Sequence, residues 1–217
     1  MTMPPQRNGQ SAIVTLTMNP ALDITTNADI VRHTVKIRCD GARYDAGGGG
    51  IIVARFARAL GALLILDTSG GGLSHVKSGV FVLKPSVREL REYTGDPLVT
   101  TSDQLAAAHD LIDRGIAQTV VVSLGSEGAL LATSLESRRF SAIPVHALSG
   151  VGAGDAMVAA ITVGLSAAWP LDRAVRYGIA AATAKLLTPG TAACTRADVE
   201  GFFEQVEEAP AEEVVPR

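Results

Sequence analysis

A glycine-rich turn at residues 149–155 constrains the fold of this chain more than any other stretch. Three glycines fall within five residues there, and an apolar run rich in small residues follows directly. Backbone N–H groups can converge at such a turn because glycine has no side chain in the way, and a helix N-terminus adds partial positive charge. The pattern predicts an anion site with Asp155 as a general base in the first helical turn. The alternative is that Asp155 only stabilises the helix start.

The composition indicates an ordinary globular α/β domain. The chain has 217 residues, of which 47% are hydrophobic, and its net charge of −3 argues against a nucleic-acid or anionic-membrane partner. No apolar run reaches the length of a membrane span, and the first ten residues lack the apolar core of a signal peptide. Cys39 and Cys194 lie far apart, so we expect unpaired thiols in a reducing, cytoplasmic environment.

Short apolar runs alternate with helix-like segments along most of the chain. This alternation predicts a mostly parallel sheet with helices on both faces. We expect one α/β domain over residues 11–208, a loose tail over 1–10 and an acidic tail over 209–217. The predicted strands are 13–18, 24–30, 36–44, 63–67, 80–83, 119–123, 129–133 and 139–143. The predicted helices are 51–60, 86–93, 101–114, 152–165, 170–187 and 196–208, with Pro170 in the first turn of its helix.

Three local patterns each allow a functional and a structural interpretation. Asp23 follows the strand 13–18, where ligands collect in open sheets, or it caps a turn. Residues 47–50 are four glycines that open onto a helix, which indicates a close approach by another group, or else a flexible linker. Ser86 and Glu89 have the spacing of a capping box, which we favour over a metal-binding role for Glu89.

The predicted connection between the helix 51–60 and the next strand is unusually short. Apolar residues at helical spacing predict one buried stripe on the helix 51–60. That helix ends near Gly61 and the next strand starts at Leu63, which leaves less chain than αβ connections normally use. The residues of the predicted stripe are Ile52, Val53, Phe56, Ala57 and Leu60.

Six stretches of the sequence resemble the motifs of one enzyme family. These are residues 15–23, 36–39, 47–50, 83–89, 122–128 and 151–155. On these motifs the chain is similar to the ribokinase-like carbohydrate kinases, in the phosphofructokinase-B branch that holds 1-phosphofructokinases and the minor 6-phosphofructokinase. The resemblance implies a ribokinase-like sheet with a small β-lid formed by the strands between 24 and 44.

The resemblance also implies a reaction and the residues that perform it. The reaction is transfer of a phosphoryl group from ATP, with Mg²⁺, to a hydroxyl of fructose 6-phosphate or fructose 1-phosphate. Neither nucleic acid nor a membrane is implied as a partner. Asp155 would be the base, and the amides of Gly152, Ala153 and Gly154 would form the anion hole. The nucleotide would be contacted by Lys84, Ser123, Gly125 and Gly128, and the metal by Glu89. The sugar would be contacted by Asp23, Lys36, Arg38, Gly48 and Gly49.

The chain departs from the family pattern at three places. Ile52 stands where an asparagine would contact the sugar, and Ser86 stands where the metal motif has asparagine. About a hundred residues, three βαβ-sized units, are missing between 61 and 65. The core is therefore truncated, and we expect nucleotide binding to survive and turnover to be impaired.

These departures leave several interpretations open. A lid with a free edge predicts pairing between copies, as in a homodimer through the lid strands. One alternative function is a non-catalytic remnant that binds nucleotide or a partner chain. Another is a kinase for a different sugar or a nucleoside, because Lys36 and Arg38 on exposed strands can equally be ordinary solvated side chains.

Overall fold

The computed structural model describes residues 21–28, 40–47, 49–68 and 70–208. They divide into two compact units, the described parts of Ile13–Ala62 and of Leu63–Arg217. The predicted strand 13–18 and the predicted site residues Lys36, Arg38 and Gly48 lie outside the described residues.

The smaller unit is a two-stranded ribbon followed by a helix. Strands β1 (Ala21–Asn27) and β2 (Asp40–Gly47) pair antiparallel, with Ile24 opposite Tyr44, and helix α1 (Gly49–Ala59) follows. The predicted strand pair between 24 and 44 is thus present, but β1 begins three residues earlier than predicted and β2 extends to Gly47. Alternation is weak in such polar strands, so it defines their ends poorly. Ile24 and Tyr44 are both exposed.

The predicted burial of the apolar stripe on α1 is wrong for its four large residues. The exposed fractions are 39% for Ile52, 49% for Val53, 68% for Phe56 and 82% for Leu60. The predicted helix itself is confirmed, since α1 forms over Gly49–Ala59. A stripe is buried only when another element packs on it, and strands β1 and β2 of the same unit leave these four side chains exposed.

The larger unit is built on a five-stranded mixed sheet with the order β3-β4-β5-β6-β7. Strands β3, β4 and β5 run parallel, whereas β6 and β7 continue the sheet antiparallel. The predicted antiparallel pair at 129–133 and 139–143 is therefore confirmed, with the second strand earlier than expected. The strands are β3 (Ile65–Leu66), β4 (Val80–Leu83), β5 (Ala117–Ser123), β6 (Ala129–Thr133) and β7 (Ser137–Phe140).

Helices cover both faces of this sheet. Successive valines of β5 point into two different cores: Val121 packs with α4, α5 and α6, and Val120 and Val122 pack with α2 and α3. All three side chains are fully buried, as expected for a strand between two helical layers. The helices are α2 (Val87–Thr94), α3 (Thr101–Asp113), α4 (Ala153–Ser166), α5 (Leu171–Leu186) and α6 (Arg196–Phe203).

Helix ends in this unit follow local signals closely, with two exceptions. Three helices begin at an N-cap residue with a complete capping box, and these residues are Ser86, Thr100 and Thr195. Pro170 is the N-cap of α5, with extended ψ, rather than a residue of its first turn as predicted. Helix α6 ends five residues before its predicted end. Within the described ranges, no helix has the length and apolarity needed to cross a membrane.

Candidate active site

The glycine turn leads into α4 as the sequence predicts. Gly152 is the N-cap residue with φ of 79°, a left-handed conformation that favours glycine, and Asp155 lies exposed in the first helical turn. No side chain caps this helix, in contrast to the capping boxes of α2, α3 and α6. The first N–H groups of a helix have no intrahelical partner. Here the Ala153 N–H donates only a long bond of 3.5 Å to the Gly150 carbonyl oxygen, so this end of α4 presents donors and partial positive charge to an anion.

An ion pair between the buried Lys84 and the partly exposed side chain of Asp67 lies against this helix end. Lys84 follows β4 directly, its side chain is buried, and its Nζ lies 3.3 Å from Oδ2 of Asp67. A Cβ built on Gly154 would lie 3.6 Å from that Nζ and 3.8 Å from that Oδ2. Asp67 comes just after β3, so both charged groups stand at the carboxyl ends of neighbouring parallel strands, where open α/β sheets bind ligands.

Asp67 is in a region that disfavours negative charge. Burial raises the pKa of its carboxyl above the ordinary value of 3.8, the Lys84 ammonium partly offsets this, and the charges of Glu89 and Asp155 raise the pKa further. The three carboxylates are therefore close enough to interact. The Lys84 ammonium is the cation that partly relieves their mutual repulsion.

Glu89 occupies the third position of α2 and completes its capping box. Its Oε2 accepts a hydrogen bond of 2.7 Å from the Ser86 backbone N–H, and Ser86 Oγ accepts one of 3.3 Å from the Glu89 N–H. The favoured structural interpretation of this pair is confirmed. The carboxylate is also buried beside Asp67, and the cap engages Oε2. A metal-binding role for Glu89 stays a prediction.

The predicted nucleotide loop connects β5 to β6. Ser123 ends β5 and donates its backbone N–H to the Pro85 carbonyl at 2.9 Å, which places it beside the end of β4. Gly125 is exposed with φ of 63°, and nothing would contact a Cβ there. Gly128 has φ of 99°, and a Cβ on it would overlap the Phe140 carbonyl oxygen. Gly128 is thus required by packing, whatever its role toward a nucleotide.

The remaining predicted site residues lie in the smaller unit. Asp23 is an exposed residue inside β1, opposite Asp45, so the alternative that it caps a turn is wrong. Gly49 is the first residue of α1. The structure thus brings together one group of the predicted residues, all of them in the larger unit: Lys84, Glu89, Gly152, Ala153, Gly154 and Asp155.

Two residues at this site were missed from the sequence. Asp67 carried a usable signal, because it is a carboxylate directly after a strand, as Asp23 was predicted to be. Lys185 lies buried near Gly152, with its Cε 3.3 Å from where a Gly152 Cβ would be. One lysine near the end of an amphipathic helix gives no sequence signal, since it resembles an ordinary charge at a helix C-terminus.

Comparison with known proteins gives one consistent family. Residues 53–198 match the model of the pfkB family carbohydrate kinases. The chain is 44% identical over 305 positions to the ATP-dependent 6-phosphofructokinase isozyme 2 of Mycobacterium tuberculosis, covering 90% of each chain. It is 42% identical over 116 residues to the 1-phosphofructokinase of Xanthomonas campestris, covering 50% of this chain and 36% of that protein.

Solved structures agree on the fold. The structure described as the tetrameric inhibited form of phosphofructokinase-2 from Escherichia coli matches with a TM-score of 0.67 at 23% identity, over 90% of this chain and 99% of that one. A ribokinase from Thermotoga maritima matches with a TM-score of 0.60 at 24% identity, over 70% of this chain and 52% of that one. The ribokinase-like α/β fold is therefore confirmed.

The alignment with the mycobacterial relative also measures what this chain lacks. Since 90% of 217 residues is about 195 residues, about 110 of the 305 alignment positions lie opposite gaps in this chain. This number agrees with the predicted internal loss of about a hundred residues, and the predicted place of the loss, between 61 and 65, stays a prediction. The family model, the long alignment and the shared fold lead to one conclusion: the chain belongs to the pfkB family of carbohydrate kinases.

Proposed function

We propose that this chain binds ATP at the N-terminus of α4 and transfers its terminal phosphoryl group to a hydroxyl of a phosphorylated sugar. One observation carries the proposal: the uncapped, glycine-lined start of α4 lies against the buried Lys84 ammonium and its ion-pair partner Asp67. Phosphoryl transfer depends mainly on positioning and on stabilising charge, and this arrangement supplies donors, a fixed ammonium and carboxylates in one place.

Each group at this helix end has a role in the proposed reaction. The backbone N–H groups of Gly152, Ala153 and Gly154 donate to the phosphoryl oxygens as negative charge develops there. Asp155 accepts the proton of the attacking hydroxyl, and its exposure leaves its carboxylate accessible to a sugar. Lys84, held by Asp67, places one positive charge beside the phosphates.

The residues beside Lys84 fit a magnesium ion. Asp67 and Glu89 offer carboxylate oxygens, and Mg²⁺ is usually bound by one or two carboxylates together with phosphates and water. In the described part of the chain no cluster of three or more His, Cys, Asp or Glu side chains could hold a metal. When bound, Mg²⁺ would neutralise charge on the phosphates.

The proposal also assigns residues to the nucleotide and to the sugar. Ser123, Gly125 and Gly128 would line the nucleotide. We take that nucleotide to be ATP, because the M. tuberculosis relative is named as ATP-dependent. For the acceptor we propose fructose 6-phosphate or fructose 1-phosphate, the substrates implied by the names of the two relatives. Its contacts would come from Asp23, Lys36, Arg38, Gly48 and Gly49.

A second candidate function is nucleotide binding without turnover. It is favoured by the gap of about 110 alignment positions relative to the mycobacterial enzyme. Ile52 adds to it, since an apolar side chain cannot hydrogen-bond a sugar hydroxyl, and losing such a contact typically costs about 1–3 kcal/mol. The exposed Ile24 and Tyr44 of the ribbon would favour self-association through the lid strands.

The test separates binding from chemistry. Thermal unfolding of the full chain is followed by the fluorescence of Trp169 while Mg·ATP is increased. Binding only to the native state adds about 2.7 kcal/mol at a hundred times the dissociation constant. The Lys84→Met variant should lose most of this shift, whereas Lys77→Met, at an exposed lysine of the same unit, should keep it.

Turnover is then measured as ADP release with fructose 6-phosphate, fructose 1-phosphate and fructose. Release with either sugar phosphate above that with fructose supports the proposed kinase. An ATP shift without release supports the second candidate. No shift at millimolar Mg·ATP contradicts both.

A further inference from the structure

Lys185 is a buried ammonium that the proposed reaction does not yet use. Its side chain is in the last turn of α5 and is 5% exposed as a residue. Its Nζ donates hydrogen bonds of 2.8 Å to Thr188 Oγ1 and 2.8 Å to the Gly190 carbonyl oxygen. Among the described residues, no carboxylate lies within ion-pair distance of it. The Asp155 carboxylate faces the same turn, with Oδ2 3.9 Å from the point that a Gly152 Cβ would occupy. A buried charge with hydrogen bonds but no ion pair is unfavourable, so its presence needs a reason beyond packing.

The end of α5 supports the glycine turn directly. The carbonyl oxygen of Leu186 accepts hydrogen bonds from the backbone N–H groups of Leu148, at 2.8 Å, and Ser149, at 3.2 Å. Lys185 Cε lies 3.3 Å from the point that a Cβ on Gly152 would occupy. Leu186 therefore anchors the start of the segment that leads into α4, and the side chain of Lys185 lies beside its end.

This arrangement creates an electrostatic problem that Lys185 resolves. The C-terminus of a helix carries partial negative charge, and here its carbonyls stand directly behind a turn proposed to bind an anion. The Gly190 carbonyl adds another negative dipole at the same place. A positive charge among these oxygens neutralises them and restores a favourable potential for a phosphoryl group at the turn.

We propose that Lys185 is a positioning residue of the anion site: its ammonium holds the 188–190 loop, its stem lies against Gly152, and its positive charge stands behind the turn. The inference rests on the proposed function, because it assigns a role within that same site. Lys185 does not itself contact the phosphoryl group in this proposal. It acts through the Gly152–Asp155 backbone and through its field.

The experiment removes the ammonium and returns it as a small molecule. In Lys185→Ala, the concentration of Mg·ATP that gives half of the thermal shift should rise about tenfold, the effect of losing one nearby charge in a protein interior. Methylammonium chloride should restore the affinity, because it fits the space vacated by the side chain and carries the same charge. Sodium chloride at equal ionic strength should not. Lys77→Ala, at an exposed lysine, is the matched control and should bind as the parent chain does.

Two more variants separate this role from simple support of the fold. Lys185→Arg keeps the charge and should retain most of the affinity. Thr188→Val keeps the lysine but removes one acceptor, and should change affinity less than Lys185→Ala. If Lys185→Ala fails to unfold cooperatively, Lys185→Gln replaces it in the same titration.

Three results would overturn the inference. The first is an unchanged ATP affinity in Lys185→Ala while the parent chain binds. The second is equal rescue of that variant by sodium chloride and by methylammonium. The third is a loss of ATP affinity in Lys185→Arg as large as that in Lys185→Ala. A parent chain that shows no shift with Mg·ATP instead overturns the proposed function, and this inference with it.

Discussion

Replacing Gly128 with alanine should destabilise the larger unit far more than the same change at Gly125, although both glycines belong to one short loop. At Gly128 the backbone has φ of 99° and ψ of −129°, a combination that side chains with a Cβ rarely adopt. A Cβ there would also overlap the Phe140 carbonyl oxygen and lie 2.8 Å from the Ala142 nitrogen. Phe140 ends β7 and is fully buried, so its backbone has little room to move.

The two sites differ in how many unfavourable effects they combine. Gly125 has φ of 63° with open space around a Cβ, so alanine there adds only left-handed strain, about 1–2 kcal/mol. At Gly128 the backbone strain is about 1–3 kcal/mol, and forcing a methyl group into a packed region adds about 1–3 kcal/mol. The expected loss at Gly128 is therefore about 2–6 kcal/mol, a large part of the stability of an ordinary domain.

Urea unfolding followed by Trp169 fluorescence measures the difference, because this single tryptophan lies between α4 and α5 in the larger unit. The Gly128 variant should unfold at a clearly lower urea concentration than the Gly125 variant, with a similar slope. Equal midpoints for the two variants would refute the reasoning, since they would mean that β7 moves aside at no cost. A changed slope in one variant would point to an altered unfolded state.

Three further outcomes are expected. Asp155→Asn should lower the rate of ADP release by a factor of about 10²–10⁴, because the general base is lost, while the Mg·ATP thermal shift persists. Unchanged turnover would exclude Asp155 as the base. The pKa of Asp67 is raised, so its contribution to stability is complete below its ordinary value of 3.8 and is lost as pH rises through the raised pKa. The free energy of unfolding of the parent chain minus that of Asp67→Asn, measured by urea titration, should fall as pH rises across this range, and a constant difference would contradict it. Changing Phe56 and Leu60 to glutamine should reduce light scattering on concentration without lowering the melting temperature, because both side chains are exposed; a drop of several degrees would show that they are buried in solution.

The parts of this molecule that the sequence predicts well depend on neighbours in the chain. Ser86 and Glu89 are three residues apart, and both hydrogen bonds of their capping box form as their spacing predicts. The strand 80–83 has the predicted ends, because a short apolar run is bounded by a glycine and by the Lys84-Pro85 pair. The turn into α4 follows from its glycines alone.

The parts that the sequence did not predict depend on residues that meet only in the fold. Asp67 and Lys84 are 17 residues apart, and their pairing against Gly154 requires β3 and β4 to lie side by side in parallel. The contact of Lys185 with the glycine turn needs α5 to end beside the start of α4. A local pattern can select candidate residues, but only the order of strands and helices decides which of them converge.

The two units differ in how completely their apolar side chains are buried. In the larger unit both faces of the sheet are closed by helices, and the groups around the start of α4 all come from that unit. In the smaller unit the stripe on α1 stays exposed, as expected if its packing partner is among the positions that this chain lacks. A helix whose apolar face is uncovered gains little stability from burial. The elements proposed to hold the sugar are thus the weaker ones, so in this chain acceptor binding should fail at lower temperature or urea concentration than ATP binding.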